Sequence, residues 1–188
     1  MPAATLDFAG LAEALRRVTV EITADGGALG SGVLWPRGYV VTNAHVVRQR
    51  RVAVRLVDGV HLEAELRARD RDADLALLAI PGSGLPAATL ANGAPVRVGS
   101  LVVAVGHPLG VRGALTRGIV HAVGPIVPGG PPWISADVRL APGNSGGPLA
   151  DVSGAVVGLN AMVVGGLALA VPVSRIVAFA RAAGAAPP

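Results

Sequence analysis

The sequence predicts an all-β protein built as two lobes, with one short helix at each end. Three observations carry that prediction. About a dozen short β-rich runs follow one another between residues 18 and 171, separated by turn signals. No helical pattern alternates with them, which removes the architectures built from strand–helix–strand units. Helical periodicity is confined to the two ends of the chain.

Taken in order, residues 7–17 read as a helix, because Leu11, Leu15 and Val18 recur at helical spacing while Glu13, Arg16 and Arg17 lie elsewhere around the axis. Strands are expected at 18–23, 31–34, 39–43, 51–56, 62–70 and 75–80. A second set is expected at 101–105, 118–123, 134–138, 148–150, 155–160 and 168–171. Their number and brevity suit a sandwich or a barrel. The segment 81–95 reads as a connection between two halves, and the Gly- and Pro-rich 125–132 as a loop. This places two barrel lobes near 19–90 and 96–172 of a single domain covering 1–188, with the cleft between them as the natural position of a site. Ser174 is expected to cap a last helix over about 175–183, with Ile176, Val177, Phe179 and Ala180 on its apolar side and Gly184 as its stop. Residues 185–188 should fray.

Composition narrows the function classes. Hydrophobic residues are 52% of 188, enough for a sizeable core in one domain. Aromatics are 3%, too few for a surface that stacks bases. The chain has no Cys, which excludes a disulfide framework, a Cys-based metal site and a thiol nucleophile. Every basic side chain is Arg, and the one cluster, Arg48-Gln-Arg-Arg51, reads as a solvated turn, so no nucleic-acid partner is expected. No window approaches the ~20 apolar residues of a membrane span; the run 159–173 is broken by Gly165, Gly166 and Pro172. The first residues lack a basic region followed by a continuous apolar stretch, so a cytoplasmic bacterial protein is expected if the chain is full length. No metal or other cofactor is called for.

The residues that carry chemistry are few. A serine hydroxyl attacks only with a base to take its proton, an acid to orient that base, and donors for the developing oxyanion. Ser145 stands in Pro142-Gly-Asn-Ser-Gly-Gly-Pro-Leu149, where small neighbours let the backbone turn tightly and let the amides of Gly143 and Ser145 point at one oxygen. His45, in Val41-Thr-Asn-Ala-His-Val-Val47, ends a strand. His107 reads as a turn residue, and His61 and His121 as surface positions on strands. Asp74 opens the apolar run 74–80, and Asp70 and Asp72 compete with it for the acid's role. The segment 143–147 also fits the G-x-S-x-G elbow of α/β-hydrolases, but the chain order His, Asp, Ser and the β-type run after Pro148 oppose that reading. The glycines of 26–32 read as a turn entering a strand rather than a phosphate loop, since no Lys and no helix follow them.

Together these motifs resemble the HtrA/DegP-type branch of the trypsin-like serine peptidases. The resemblance rests on Gly30-Ser-Gly32, Thr42-Asn-Ala-His-Val-Val47, Asp70-Arg-Asp-Ala-Asp-Leu-Ala-Leu-Leu78 and 137–149, in family order, and covers about residues 8–180. It implies a chymotrypsin-like double β-barrel and a serine endopeptidase acting on polypeptide substrates through an acyl-enzyme. It further implies His45 as general base, Asp74 as its orienting acid, Ser145 as nucleophile, and the amides of Gly143 and Ser145 as the oxyanion hole. Leu140 matches a position lining the primary specificity pocket, and Ala161, Met162 and Val163 match the strand that pairs with substrate. No acidic residue falls there, so small or medium aliphatic P1 side chains are expected, and Asp137 is read as structural. No PDZ domain follows within these residues, and the N-terminal segment lacks the aromatics typical of the family trimer, so a monomer or weak oligomer is expected. A catalytically silent peptide-binding module of the same fold is the alternative.

Overall fold

A computed structural model describes residues 6–24, 27–82, 84–91 and 96–187. Gly26 of the glycine-rich turn, Ser83 and residues 92–95 of the expected connection, and the last residue of the tail lie outside the described residues. The fold is two closed six-stranded antiparallel barrels, the chymotrypsin-like architecture. The first barrel contains β1 (Thr19–Ala24), β2 (Gly27–Trp35), β3 (Tyr39–Thr42), β4 (Arg51–Arg55), β5 (His61–Asp70) and β6 (Leu75–Ala79), closed in the order β1-β2-β3-β6-β5-β4. The second contains β7 (Leu101–Gly106), β8 (Ala114–Pro125), β9 (Pro132–Ala136), β10 (Pro148–Asp151), β11 (Val156–Val164) and β12 (Leu167–Pro172), closed as β10-β11-β12-β9-β8-β7. Closure removes the unpaired edges that two open sheets would expose.

The side-chain alternation of a strand explains why β6 reads as an unbroken apolar run. Ala76 and Leu78 point into the core of the first barrel, while Leu75 and Leu77 point out of it. There they meet Leu159, Leu169, Val171 and Trp133 of the second barrel in a cluster shared by both. All four β6 residues are fully buried, and each leucine contributes roughly 1.5–3 kcal/mol by leaving water. The strand that begins right after Asp74 therefore helps to hold the two barrels together.

Helix α1 (Phe8–Val18) starts at Asp7, whose Oδ1 accepts the N–H groups of Ala9 and Gly10 at 3.0 Å each. Its Leu15 packs against Val103, Val105 and Ala150 of the second barrel. Helix α2 (Val173–Ala182) lays Ile176 and Ala180 on the cluster between the barrels. Ser174 is not its cap: Pro172 holds that position, without a side-chain hydrogen bond, and Ser174 falls inside the first turn. Proline's fixed φ suits this strand-to-helix change of direction. Ala185 does not fray, since its carbonyl accepts the Trp35 indole N–H at 2.8 Å and the residue is buried. Strands β8 and β11 run longer than expected. In β11 the extension pairs with β12 across a Gly165-Gly166 turn with φ of 58° and 83°, the left-handed pair that a two-residue hairpin requires. Among the described residues no helix is long and apolar enough to cross a membrane.

Candidate active site

Asp74 sits at the turn between β5 and β6 with φ of +52°. Aspartate is one of the few side chains besides glycine that enters this left-handed region with modest strain. Two neighbours hold it there. Its N–H donates to the Arg71 carbonyl at 3.3 Å, and its carbonyl accepts the Asn43 side-chain amide at 2.9 Å. Asn43 is fully buried at the end of β3, so strands β3 and β6, paired in register from Tyr39↔Ala79 to Thr42↔Ala76, bring His45 and Asp74 together.

The contact is close and multiple. His45 Nδ1 lies 2.8 Å from Asp74 Oδ2 and 3.0 Å from Oδ1, and the His45 backbone N–H donates to Oδ1 at 3.1 Å. A carboxylate only accepts, so this network assigns the ring proton to Nδ1 and leaves Nε2 as the acceptor. The imidazole is half exposed and the carboxylate largely buried. The other candidate acids are placed elsewhere: Asp70 Oδ1 accepts the Ala73 N–H at 2.8 Å as a turn brace, and Asp72 is exposed.

Ser145 comes from the second barrel, in the loop between β9 and β10. The loop is pinned from both sides. The Ser145 carbonyl accepts the Ser31 N–H at 2.8 Å from the first barrel. Gly146 N–H donates to the Asn160 carbonyl at 2.8 Å, and Asn160 N–H donates to the Gly147 carbonyl at 2.9 Å. Gly146 has φ of +84°, and a side chain there would run into the Ser31 carbonyl at 2.1 Å. Only glycine fits between the barrels at this point. Two tight turns flank the serine, closed by Asn144 N–H to Ala141 O and Gly147 N–H to Asn144 O, both 3.0 Å.

The Ser145 hydroxyl donates to the Ala161 carbonyl at 2.9 Å. It has one proton, so with that bond made it does not donate to the His45 ring. Ala161 is where the β11–β12 register shifts, and the bulge turns its carbonyl toward the serine. Among the described residues, neither the Gly143 nor the Ser145 N–H donates to another group of the protein. Gly143 has φ of +104°.

Of the expected substrate-contacting residues, Met162 and Val163 are exposed on β11, past the last residue paired with β10. Among the described residues they pair only with β12, and no strand pairs with their other backbone edge. The Ala161 side chain is instead buried in the cluster between the barrels. Leu140 is half-buried against the second-barrel core. Asp137 is exposed, lies outside this site and accepts the Ile119 N–H through Oδ1, with His121 Nε2 3.5 Å from Oδ2. The Ile119 amide holds its carboxyl below the usual carboxylate range.

His107 is the residue that sequence reasoning passed over. Beyond standing at a turn, it is buried, and its Nδ1 lies 3.1 Å from the hydroxyl of Ser31. Burial pushes its pKa below the ordinary histidine value. The Gly-His-Pro-Leu-Gly pattern signalled a turn, and that turn exists as a short 3-10 segment, Pro108–Gly110. What it packs against could not be read from neighbours in sequence.

Comparisons with known proteins bear on the family and the fold. The family model described as "Trypsin-like peptidase domain" matches residues 30–159. A relative named "Probable periplasmic serine endoprotease DegP-like" from Pseudomonas savastanoi pv. phaseolicola is 41% identical over 156 residues, covering 78% of this chain and 33% of the relative. One of the same name from Ectopseudomonas mendocina is 44% identical over 140 residues, covering 72% and 30%. The chain thus spans about a third of the length of the curated relatives it matches. Among solved structures, the HtrA-type protease AlgW with decapeptide superposes with a TM-score of 0.86 at 26% identity, over 94% of this chain and 67% of that one. A serine endoprotease from Yersinia pestis gives 0.87 at 25% identity, over 96% and 68%. The relatives' names overturn the expected cytoplasmic location, since they describe probable periplasmic enzymes. That expectation rested on a leader not being seen, and one end of a chain spanning a third of its relatives carries no information about compartment.

Proposed function

Because this chain belongs to the trypsin-like peptidase domain family, we propose that it is a serine endopeptidase of HtrA/DegP type that cleaves unfolded or flexible polypeptides. The observation that carries the reading is the His45–Asp74 pair, whose 2.8 Å contact supports a ring with Nε2 free to accept a proton. In this proposal the Ser145 hydroxyl swings from the Ala161 carbonyl to His45 Nε2 when substrate binds. His45 takes the hydroxyl proton as Oγ attacks the scissile carbonyl. Asp74 stabilises the imidazolium without taking its proton. The unengaged Gly143 and Ser145 N–H groups receive the oxyanion, and donors fixed in place before the reaction make that stabilisation large. His45 then protonates the leaving amine, and water repeats the sequence to release the acyl group.

Substrate would add as a strand along the open edge of β11 at Met162 and Val163. Leu140 would contribute an apolar wall to a pocket for small or medium aliphatic P1 residues. The relatives' naming favours a periplasmic site of action. One observation supports the second reading, a silent peptide-binding module: the nucleophile's hydroxyl donates to the Ala161 carbonyl rather than to its base. A serine-directed fluorophosphonate separates the two. Labelling that disappears in Ser145→Ala, with cleavage of a denatured protein after Val or Ala, is expected. A folded wild type that is neither labelled nor active would sink the peptidase reading, and cleavage mainly after Arg would overturn the pocket.

A further inference from the structure

The loop that carries Gly143 is moulded by the segment 107–110 and by one buried hydroxyl. The Pro142 carbonyl accepts the Leu109 N–H at 3.0 Å. A trans peptide sets its C=O and N–H on opposite sides, so anchoring Pro142 O on this segment turns the Gly143 N–H the other way. The next carbonyl, Gly143 O, accepts the Ser31 hydroxyl at 2.7 Å and, more weakly, the His107 N–H at 3.3 Å. The His107 N–H also reaches Ser31 Oγ at 3.1 Å, and His107 Nδ1 lies 3.1 Å from the same oxygen.

Proton counting gives this cluster a direction. Ser31 is fully buried and has a single hydroxyl proton. With that proton on Gly143 O, Ser31 Oγ must be the acceptor from both groups of His107. The ring then carries its proton on Nδ1. In the other neutral tautomer, Nδ1 would compete for the Ser31 proton and release Gly143 O to the 3.3 Å bond alone.

We propose that Ser31 and His107 are a positioning pair for the oxyanion loop: the His107 ring donates to Ser31, and this commits the Ser31 hydroxyl to the Gly143 carbonyl. The pair touches no substrate. It acts through the Gly143–Asn144 peptide, and so on the donor geometry beside Ser145. The inference rests on the peptidase reading for its kinetic consequence, but the hydrogen-bond order itself does not depend on that reading.

The test uses Ser31→Ala, His107→Leu, His107→Asn and the Ser31→Ala/His107→Leu double variant of the whole chain. Hydrolysis of a peptide p-nitroanilide with Val at P1 is followed, together with amide exchange at Asn144. Misplaced transition-state donors lower kcat and leave ground-state binding alone. Ser31→Ala and His107→Leu should each lower kcat by about tenfold, with KM changed less than about twofold. His107→Asn should recover wild-type kcat, because its Nδ2–H stands where Nδ1–H stood. The double variant should be no worse than Ser31→Ala, the non-additivity of groups acting in series. Asn144 exchange should speed up in both single-loss variants and not in His107→Asn. Additive losses, a His107→Asn as slow as His107→Leu, or unchanged Asn144 exchange would overturn the pair. A wild type without hydrolysis or fluorophosphonate labelling would sink the peptidase reading alone, and Asn144 exchange would still decide the pair's role. If His107→Leu does not fold, Ser31→Ala, which removes one buried atom, decides alone: unchanged Asn144 exchange overturns the pair, and faster exchange supports it.

Discussion

Gly143→Ala isolates the geometry of the loop from its chemistry. A Cβ on Gly143 would sit 2.3 Å from the His107 carbonyl oxygen, 2.9 Å from its carbon and 3.1 Å from Pro108 Cα. Ordinary contact begins at 3.4 Å, so the loop must move by about an ångström. All three obstructing atoms are backbone, so no side chain can swing clear. A displacement of about 1 Å in a positioning element costs on the order of 10²-fold in rate, or about 2.7 kcal/mol of barrier. Left-handed backbone strain adds about 1–2 kcal/mol of lost stability for any L residue. Gly59→Ala separates the two effects, because Gly59 has φ of +91° and nothing within 4 Å of its would-be Cβ. Both variants should lose stability in thermal melts from the shared backbone strain, Gly143→Ala more because its clash adds to it. Only Gly143→Ala should lose about 10²-fold in kcat on the p-nitroanilide and in the rate of fluorophosphonate labelling. A folded Gly143→Ala with kcat within threefold of wild type would refute the assignment of this loop as the oxyanion site.

Two further expectations follow from the same contacts. Asp74→Asn should lower kcat by roughly 10⁴-fold with little change in KM, because an amide NH₂ facing His45 Nδ1 forces the tautomer that has no free Nε2 lone pair; steady-state kinetics check it, and a loss under tenfold would contradict the role of Asp74. Asp137 gives a pH dependence of stability rather than of catalysis. Its folded pKa is depressed, chiefly by the Ile119 N–H, so its contribution is present above the unfolded value of about 3.9 and is lost as pH falls through the folded one. The melting-temperature difference between wild type and Asp137→Asn should therefore be positive at pH 6 and shrink below about pH 4. A difference constant from pH 6 to 3 would show that the charge of Asp137 contributes nothing.

Much of this protein is written in local pattern. The short strands are legible because alternation, β-branched residues and turn residues are properties of neighbours along the chain. The apolar run of β6 was legible too, although sequence could not tell which leucine faces the barrel and which the inter-barrel cluster. His45, Asp74 and Ser145 were named from their motifs, and Asp74 was separated from Asp70 and Asp72 by its position against that run. The end of β11 was under-read because its exposed Met162–Val164 pairs with β12 on one side only. The cap at Pro172, the tied-down Ala185 and the burial of His107 were not legible. The last two depend on contacts between residues far apart in the chain: the Trp35 indole on Ala185 O across 150 positions, and Ser31 on His107 across 76 and on Gly143 across 112. Sequence therefore determined which chemical groups are available and in what order. The closing of two barrels against each other decided which buried hydroxyl meets which carbonyl, because a hydrogen bond is set by ångströms in space and not by spacing along a chain.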